Sequence, residues 1–185
     1  SIFTYSAYED FESASRKSKT RSTVWIKVDT GLNRLGVPYQ EALEFIRFAS
    51  QSKYIAIEGV FSTLTEDRRF DQVQLKRFLS MKENCKKLGI SIPLWSIASS
   101  EAAFLFGESY LDMVRLGISL LGFYPSKGAW ASKKVNLLPA VSFKTRVACI
   151  KELKKGESAS YRRTFIAKRK TRIAILLPGY SYGLD

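Results

Sequence analysis

Four short segments carry side chains able to do chemistry. The first, Lys27-Val28-Asp29-Thr30-Gly31-Leu32-Asn33-Arg34-Leu35-Gly36, puts a lysine on a β-branched apolar run and an arginine just beyond its end. Both cations could point into the mouth of a barrel. A strand with a salt-bridged surface lysine is the plainer alternative. The second is Ser96-Ile97-Ala98-Ser99-Ser100. Hydroxyls at a helix start cap its first turn, at about 1 kcal/mol each, and the same free N–H groups can hold an anion. For Ser99 and Ser100, capping alone is the stronger reading. The third, Val114-Arg115-Leu116-Gly117-Ile118-Ser119, sets an arginine at an expected strand end, beside a glycine that lets a ligand approach the backbone. The fourth, Pro178-Gly179-Tyr180-Ser181-Tyr182-Gly183, is either an exposed turn or a tyrosine presented to a partner. Singly, none of these fixes a reaction.

Composition removes several alternatives. The chain has 185 residues and no histidine, so Ser-His-Asp and Cys-His nucleophile pairs and imidazole metal sites are excluded. Cys85 and Cys149 are too few for a zinc cluster or a disulfide framework. No metal is expected, and two free thiols suggest a reducing compartment, the cytoplasm. No run of about 18 apolar residues is present, so no membrane partner is expected. The net charge is +13, with eleven Lys/Arg between Lys144 and Arg172 against Glu152 and Glu157 only. Charge without an accompanying motif does not make a nucleic-acid binder, so no nucleic-acid partner is expected. The length falls short of the roughly 200–250 residues of a complete (β/α)8 barrel. The chain opens on Ser1 and stops just after an apolar strand and a turn, so both ends read as cut from something longer.

The elements that must position the four segments alternate. A short helix is expected over Tyr8–Ser15, a strand over Thr23–Asp29, and a helix from Pro38 to Ser50. A second strand region covers Ile55–Leu64. A long helix follows, with Phe70, Val73, Phe78, Met81, Cys85 and Leu88 on one face and Gly89 as its stop. Ile90–Ile97 reads as a third strand, Glu101–Phe106 as a short helix and Tyr110–Arg115 as a fourth strand. Such alternation argues for an α/β fold with a parallel sheet, whose strand-end loops carry the chemistry. Ser126–Lys134 reads as a linker. Beyond it, Val141–Glu152, Glu157–Tyr161 and Arg172–Pro178 read as strands with no helix between them. The boundary is placed near residue 135, giving domains 1–135 and 136–185.

In order along the chain, these segments resemble the pyridoxal-phosphate-dependent alanine racemases of fold type III. VWIKVDTGLNRLGV (24–37), Gly59-Val60-Phe61-Ser62, Ile97–Ala103 and MVRLGISLLGFYPS (113–126) are similar to successive motifs of that family. Leu138-Pro139-Ala140 with Ser142 and Lys144, Gly156–Tyr161, Thr164-Phe165 and Leu177–Asp185 follow in the family's order. The likeness runs from about residue 23 to the end. It implies the later half of a (β/α)8 barrel followed by the start of a C-terminal β domain.

The resemblance also implies roles. Arg115 is similar to the arginine facing the cofactor's pyridine nitrogen; a guanidinium keeps its own proton, so that nitrogen stays unprotonated. Ser100, Gly117 and Ile118 resemble the phosphate-binding positions, with Ser99 beside them. Arg34 resembles the arginine near the substrate carboxylate, and Lys27 a lysine that many members carbamylate. Tyr180 resembles the catalytic tyrosine, which acts across a homodimer interface on one face of the substrate Cα. Thr63 stands where the family usually has a histidine, Ser99 replaces an asparagine, Leu116 a proline, and Ser181-Tyr182 a small-acidic pair. The lysine that forms the Schiff base lies upstream in the family. The expected activity is therefore interconversion of L- and D-alanine for peptidoglycan, with the 185-residue chain inactive by itself. A racemase for another small amino acid such as serine, or a non-catalytic cofactor-binding homologue, is the alternative.

Overall fold

In the computed structural model, which describes residues 1–183, the chain divides into two units, Ser1–Ala140 and Val141–Asp185. In the first, β1 (Ser22–Asp29) alternates as its sequence demands. Val24, Ile26 and Val28 are buried, while Trp25, Lys27 and Asp29 face the other way, half-buried. β1 pairs in parallel with β2 (Val37–Pro38) and β3 (Ile55–Phe61), and β3 pairs with β4 (Leu94–Ser96). The order is β2-β1-β3-β4. Ile2 extends the β1 edge, its N–H donating to the Trp25 carbonyl at 2.8 Å while its own carbonyl accepts from Lys27. The β1–β3 register slips at Val24/Trp25, so Glu58 is the extra residue. Next to the slip, Gly59 is obligatory in a physical sense: a Cβ there would lie 2.4 Å from the Trp25 ring.

Helices cover one face of this sheet. α1 (Tyr5–Ser18) is longer than expected because Thr4 caps it, accepting from Ala7 N–H at 3.1 Å. α2 (Ala42–Ser50) starts four residues after Pro38, which belongs instead to the bridge with Asp29. α3 (Arg68–Lys87) is capped by Asp67, whose carboxylate accepts from Arg69 and Phe70 N–H. Phe78, Met81 and Cys85 of its expected face are buried, and Phe78 meets Trp95 edge-on at 5.4 Å. Burying such a ring contributes roughly 2–3 kcal/mol. Val73 and Leu88 are exposed, and Asp71 and Gln74 are buried in their place. The reason is local. The helix's first turns lie against loop backbone beyond the strand ends, where N–H and C=O groups need polar partners.

Of the strand expected over Ile90–Ile97 only the three residues of β4 form, and two further expectations for this unit fail. Tyr110–Arg115 is not a regular strand. A 3-10 turn at Gly107–Ser109 precedes it, and Leu111 within it is left-handed. The segment then runs beside β4 with backbone bonds from Asp112 N–H to Trp95 O and from Arg115 N–H to Ala98 O. The Asp112 carboxylate accepts the Trp95 N–H at 2.8 Å, taking the place of a ladder carbonyl. Ser126–Lys134 is not a plain linker either. Ser126 caps a short helix, α5 (Lys127–Ala131), that buries Ala129.

Among its described residues the regular structure of the second unit is four strands and two 3-10 turns. β5 (Val147–Leu153) pairs antiparallel with β8 (Thr171–Leu176), and β6 (Ser158–Ala159) with β7 (Phe165–Ile166). β5, β6 and β8 are shorter than the sequence suggests, and β7 is a strand it did not suggest. Left-handed Ser160, Arg162 and Arg163 bend the β6–β7 connection into a 3-10 turn. Among the described residues no helix is long and apolar enough to cross a membrane, and no group of His, Cys, Asp or Glu is arranged to hold a metal ion.

Candidate functional site

The C-terminal ends of the parallel strands gather the expected cations of the first unit. Phe61 closes β3, and its ring serves as their common surface. The Arg115 guanidinium lies 4.9 Å from its centroid and the Lys27 ammonium 5.6 Å. Arg115 is held in place by two protein acceptors. Its Nη1 donates to Ser96 Oγ at 2.6 Å, and its Nη2 to the Ser62 carbonyl at 2.5 Å. The Ser96 hydroxyl donates to the Met113 carbonyl at 2.9 Å. Two of the five guanidinium N–H groups are thereby engaged with the protein, leaving others for a ligand.

This end of the sheet is strongly electropositive. Burial, with Arg34 and Arg115 close by, holds the Lys27 ammonium below the usual lysine range, and Asp29 only partly offsets them. Burial likewise lowers Arg115. Among the described residues none of Lys27, Arg34 and Arg115 enters an ion pair, so the salt-bridged reading of Lys27 does not hold. Arg34 is exposed on a loop whose start is pinned by Asp29, whose Oδ1 accepts from Gly31 and Asn33 N–H.

Ser99 and Ser100 do not act as caps. Ser99 occupies the N-cap of α4 (Ser100–Leu105) without a side-chain bond. Ser100, buried, instead accepts the Gly117 N–H at 3.0 Å and so ties two strand-end loops together. Gly117 faces open space where a Cβ would stand, and the 3-10 turn Ile118–Leu121 begins directly after it. The first N–H groups of that turn have no partner within it. On the same turn the Ser119 hydroxyl is buried without a partner. Thr63 is half-buried beside Ser62, and its carbonyl accepts from the Gln74 amide. Tyr180 lies in the second unit, on the 3-10 turn Tyr180–Tyr182, and is 81% exposed. Leu184 and Asp185, which close its matching segment, lie outside the described residues.

Sequence reading named Arg115, Lys27, Arg34, Ser100 and Gly117, and the structure brings them to the strand ends of one unit. It missed the parts that hold Arg115: Phe61, Ser62 and Ser96 in that role. A signal was present, since a serine closes or directly follows both β3 and β4.

The sequence profile described as alanine racemase, N-terminal domain, matches residues 1–125, and that described as alanine racemase, C-terminal domain, matches 140–185. The chain belongs to the alanine racemase family. It is 40% identical over 179 residues to alanine racemase 2 of Caldanaerobacter subterraneus subsp. tengcongensis, covering 94% of this chain and 45% of that protein. To alanine racemase 2 of Bacillus subtilis it is 38% identical over 172 residues, 90% of this chain and 44% of the relative. Among solved structures it is similar to the Clostridium difficile alanine racemase, with TM-score 0.81, 24% identity, and coverage of 100% of this chain and 49% of that one. The Bacillus anthracis alanine racemase with bound L-Ala-P aligns at TM-score 0.75 and 26% identity, covering 99% and 48%. The Bartonella henselae enzyme with covalently bound pyridoxal phosphate aligns at 0.72 and 23%, covering 98% and 49%. The chain spans about half the length of the relatives it matches. Its parallel sheet is thus part of a (β/α)8 barrel, followed by the start of the family's C-terminal β domain.

Proposed function

We propose that the chain is the cofactor-holding part of a pyridoxal-phosphate-dependent alanine racemase that works in the cytoplasm as a homodimer and supplies D-alanine for peptidoglycan. One observation carries this reading. At the strand ends a guanidinium is fixed by Ser62 and Ser96 amid further cations that, among the described residues, enter no ion pair. Such a site suits a dianionic ligand with an aromatic ring. The residues fit the cofactor on two further counts. Gly117 leaves its backbone open to close approach, and the Ser119 hydroxyl is a buried polar atom without a partner on the turn that carries Ile118.

Ser100, Gly117 and Ile118 hold the phosphate, Ser100 by fixing the Gly117 loop and Ile118 through a free N–H. Thr63 and Ser99 are assigned to the same cofactor site. Arg115 would be the residue that meets the ring nitrogen and, keeping its own proton, would leave that nitrogen without one. Pyridoxal phosphate, when bound, supplies a conjugated ring that spreads the negative charge left at the substrate Cα. Arg34 binds the alanine carboxylate. The Tyr180 phenol, lent by the twin subunit, moves the α-proton on one face of Cα. A lysine outside these residues does so on the other. The lowered Lys27 pKa enlarges the share of neutral amine. Its lone pair can then attack carbon dioxide and release a proton, leaving a carbamate anion that holds Arg34. Without the second base, residues 1–185 alone do not racemise.

The test is exchange of the alanine α-proton for deuterium by the full-length protein, with and without Tyr180→Phe. Exchange and racemisation by the wild type, with racemisation lost in Y180F, is the expected result. A full-length protein that binds the cofactor and leaves alanine unexchanged refutes the reading.

A further inference from the structure

The buried polar face of α3 has no place in the chemistry above, yet it binds the loops that follow β1 and β3. Asp71, Gln74 and Arg77 recur at three-residue spacing, so they share one side of the helix. The Asp71 Oδ1 accepts from Thr65 N–H at 2.9 Å, Thr65 hydroxyl at 3.0 Å and Glu66 N–H at 3.1 Å. Arg77 donates to the Thr30 carbonyl at 2.8 Å. Gln74, between them, is completely buried. Its Oε1 accepts from Thr65 N–H at 2.9 Å, and its Nε2 donates to Thr30 Oγ1 and to the Thr63 carbonyl, both at 3.1 Å. Thr30 Oγ1 in turn lies 2.8 Å from Ser62 Oγ, and the Ser62 carbonyl is the acceptor of Arg115.

We infer that Gln74 is a positioning residue for Arg115, acting through Thr30 and Ser62. The inference rests on the racemase reading of the site. Its physical basis is the geometry of the loop after β3. That loop has no sheet partner to fix its height beyond Phe61, apart from Ser62 N–H donating to the Ser96 carbonyl at 3.0 Å. A side-chain amide, which donates and accepts at once, can hold Thr63 O and Thr65 N–H in one grip while it orients the Thr30 hydroxyl. A carboxylate at 74 could only accept, and an apolar side chain could do neither. Asp71 fixes the distal part of the loop, Gln74 the part next to Arg115. Because the network is buried and continuous, a break in it moves Ser62 instead of being repaired by water.

The experiment uses the full-length holoenzyme with Gln74→Met, which keeps length and removes both polar functions, and Thr30→Val, which removes only the bridging hydroxyl. Val73→Ala, on the exposed side of the same helix, is the control. The expected result is a fall in kcat of about tenfold with KM for alanine within about twofold, in Q74M and T30V but not V73A. The absorption band of the bound cofactor should shift in both variants in the direction given by Arg115→Lys. Wild-type kcat and spectrum in T30V overturn the inference, whether or not Q74M folds. A second readout needs no cofactor. In the apo protein, modification of Arg115 by a dicarbonyl reagent, followed by peptide mass, should quicken about fivefold or more in Q74M and T30V as the local grip loosens. An unchanged rate there refutes the positioning role even if the wild type proves not to racemise alanine, an outcome that refutes the cofactor reading separately.

Discussion

Replacing Arg115 by lysine isolates what the guanidinium geometry contributes, because the charge is kept and the fork is lost. Arg115 reaches Ser96 Oγ and the Ser62 carbonyl with two different nitrogens, at 2.6 and 2.5 Å. A single ammonium at the end of a shorter stem can serve only one of them well. Hydrogen bonds to charged groups contribute about 1.5–3 kcal/mol each, so the loss of one is the expected cost. Ser96 still donates to the Met113 carbonyl, so the Ser62 carbonyl is the group left short. Contact with the Phe61 face survives in weakened form, which removes less than about 1 kcal/mol more. R115K should therefore lower the unfolding free energy of the apo protein by roughly 2–3 kcal/mol in urea denaturation, with an unchanged denaturant slope. If the same interactions also fix the ring-facing donors, cofactor affinity falls by about tenfold for each 1.4 kcal/mol lost at the ligand. An R115K protein as stable as wild type would show that the guanidinium does not hold both acceptors, and the site as described would have no anchor.

Other consequences can be checked as directly. Lys27 has a folded pKa below its ordinary value, so the unfolded chain keeps a proton that the folded chain has released in the window between the two. Stability should rise with pH across that window, and the rise should vanish in Lys27→Met; denaturation series at stepped alkaline pH decide it. Ser100→Ala strips the acceptor from the Gly117 N–H and should cost about 1–3 kcal/mol of apo stability, read by the same denaturation. Cys85 is buried and pushed up to about 11, whereas Cys149 is exposed. A thiol reagent at neutral pH should label Cys149 in the folded protein and both cysteines in urea; rapid labelling of Cys85 in the folded state contradicts the packing of α3.

What could be read from the residues was set by periodicity. β1 declared itself through Val24, Ile26 and Val28, and α3 through Phe78, Met81 and Cys85, because apolar side chains repeat at the period of the element that buries them. The failures lie where backbone groups are satisfied by side chains and not by a ladder. Asp112 accepts a strand N–H, so Tyr110–Arg115 looks apolar enough for a strand without forming one. Ser100 reads as a cap, yet its partner is seventeen residues ahead. Asp71 and Gln74 read as the wet side of an amphipathic helix because sequence does not reveal that loop backbone lies across that face.

The same distinction explains how the site is made. An arginine half-sunk in protein is costly unless its donors find acceptors, and apolar strands cannot provide them. The chain supplies them at the strand ends, with Ser96 closing β4 and Ser62 directly following β3. Those acceptors must themselves be held: Gln74 of α3 reaches Ser62 through Thr30, and Ser96 donates to the Met113 carbonyl. Stability and chemistry therefore draw on one set of bonds. A substitution on the buried side of α3 should disturb Arg115 before it unfolds the sheet, since Phe78, Met81 and Cys85 keep the rest of that helix packed whatever happens at Gln74.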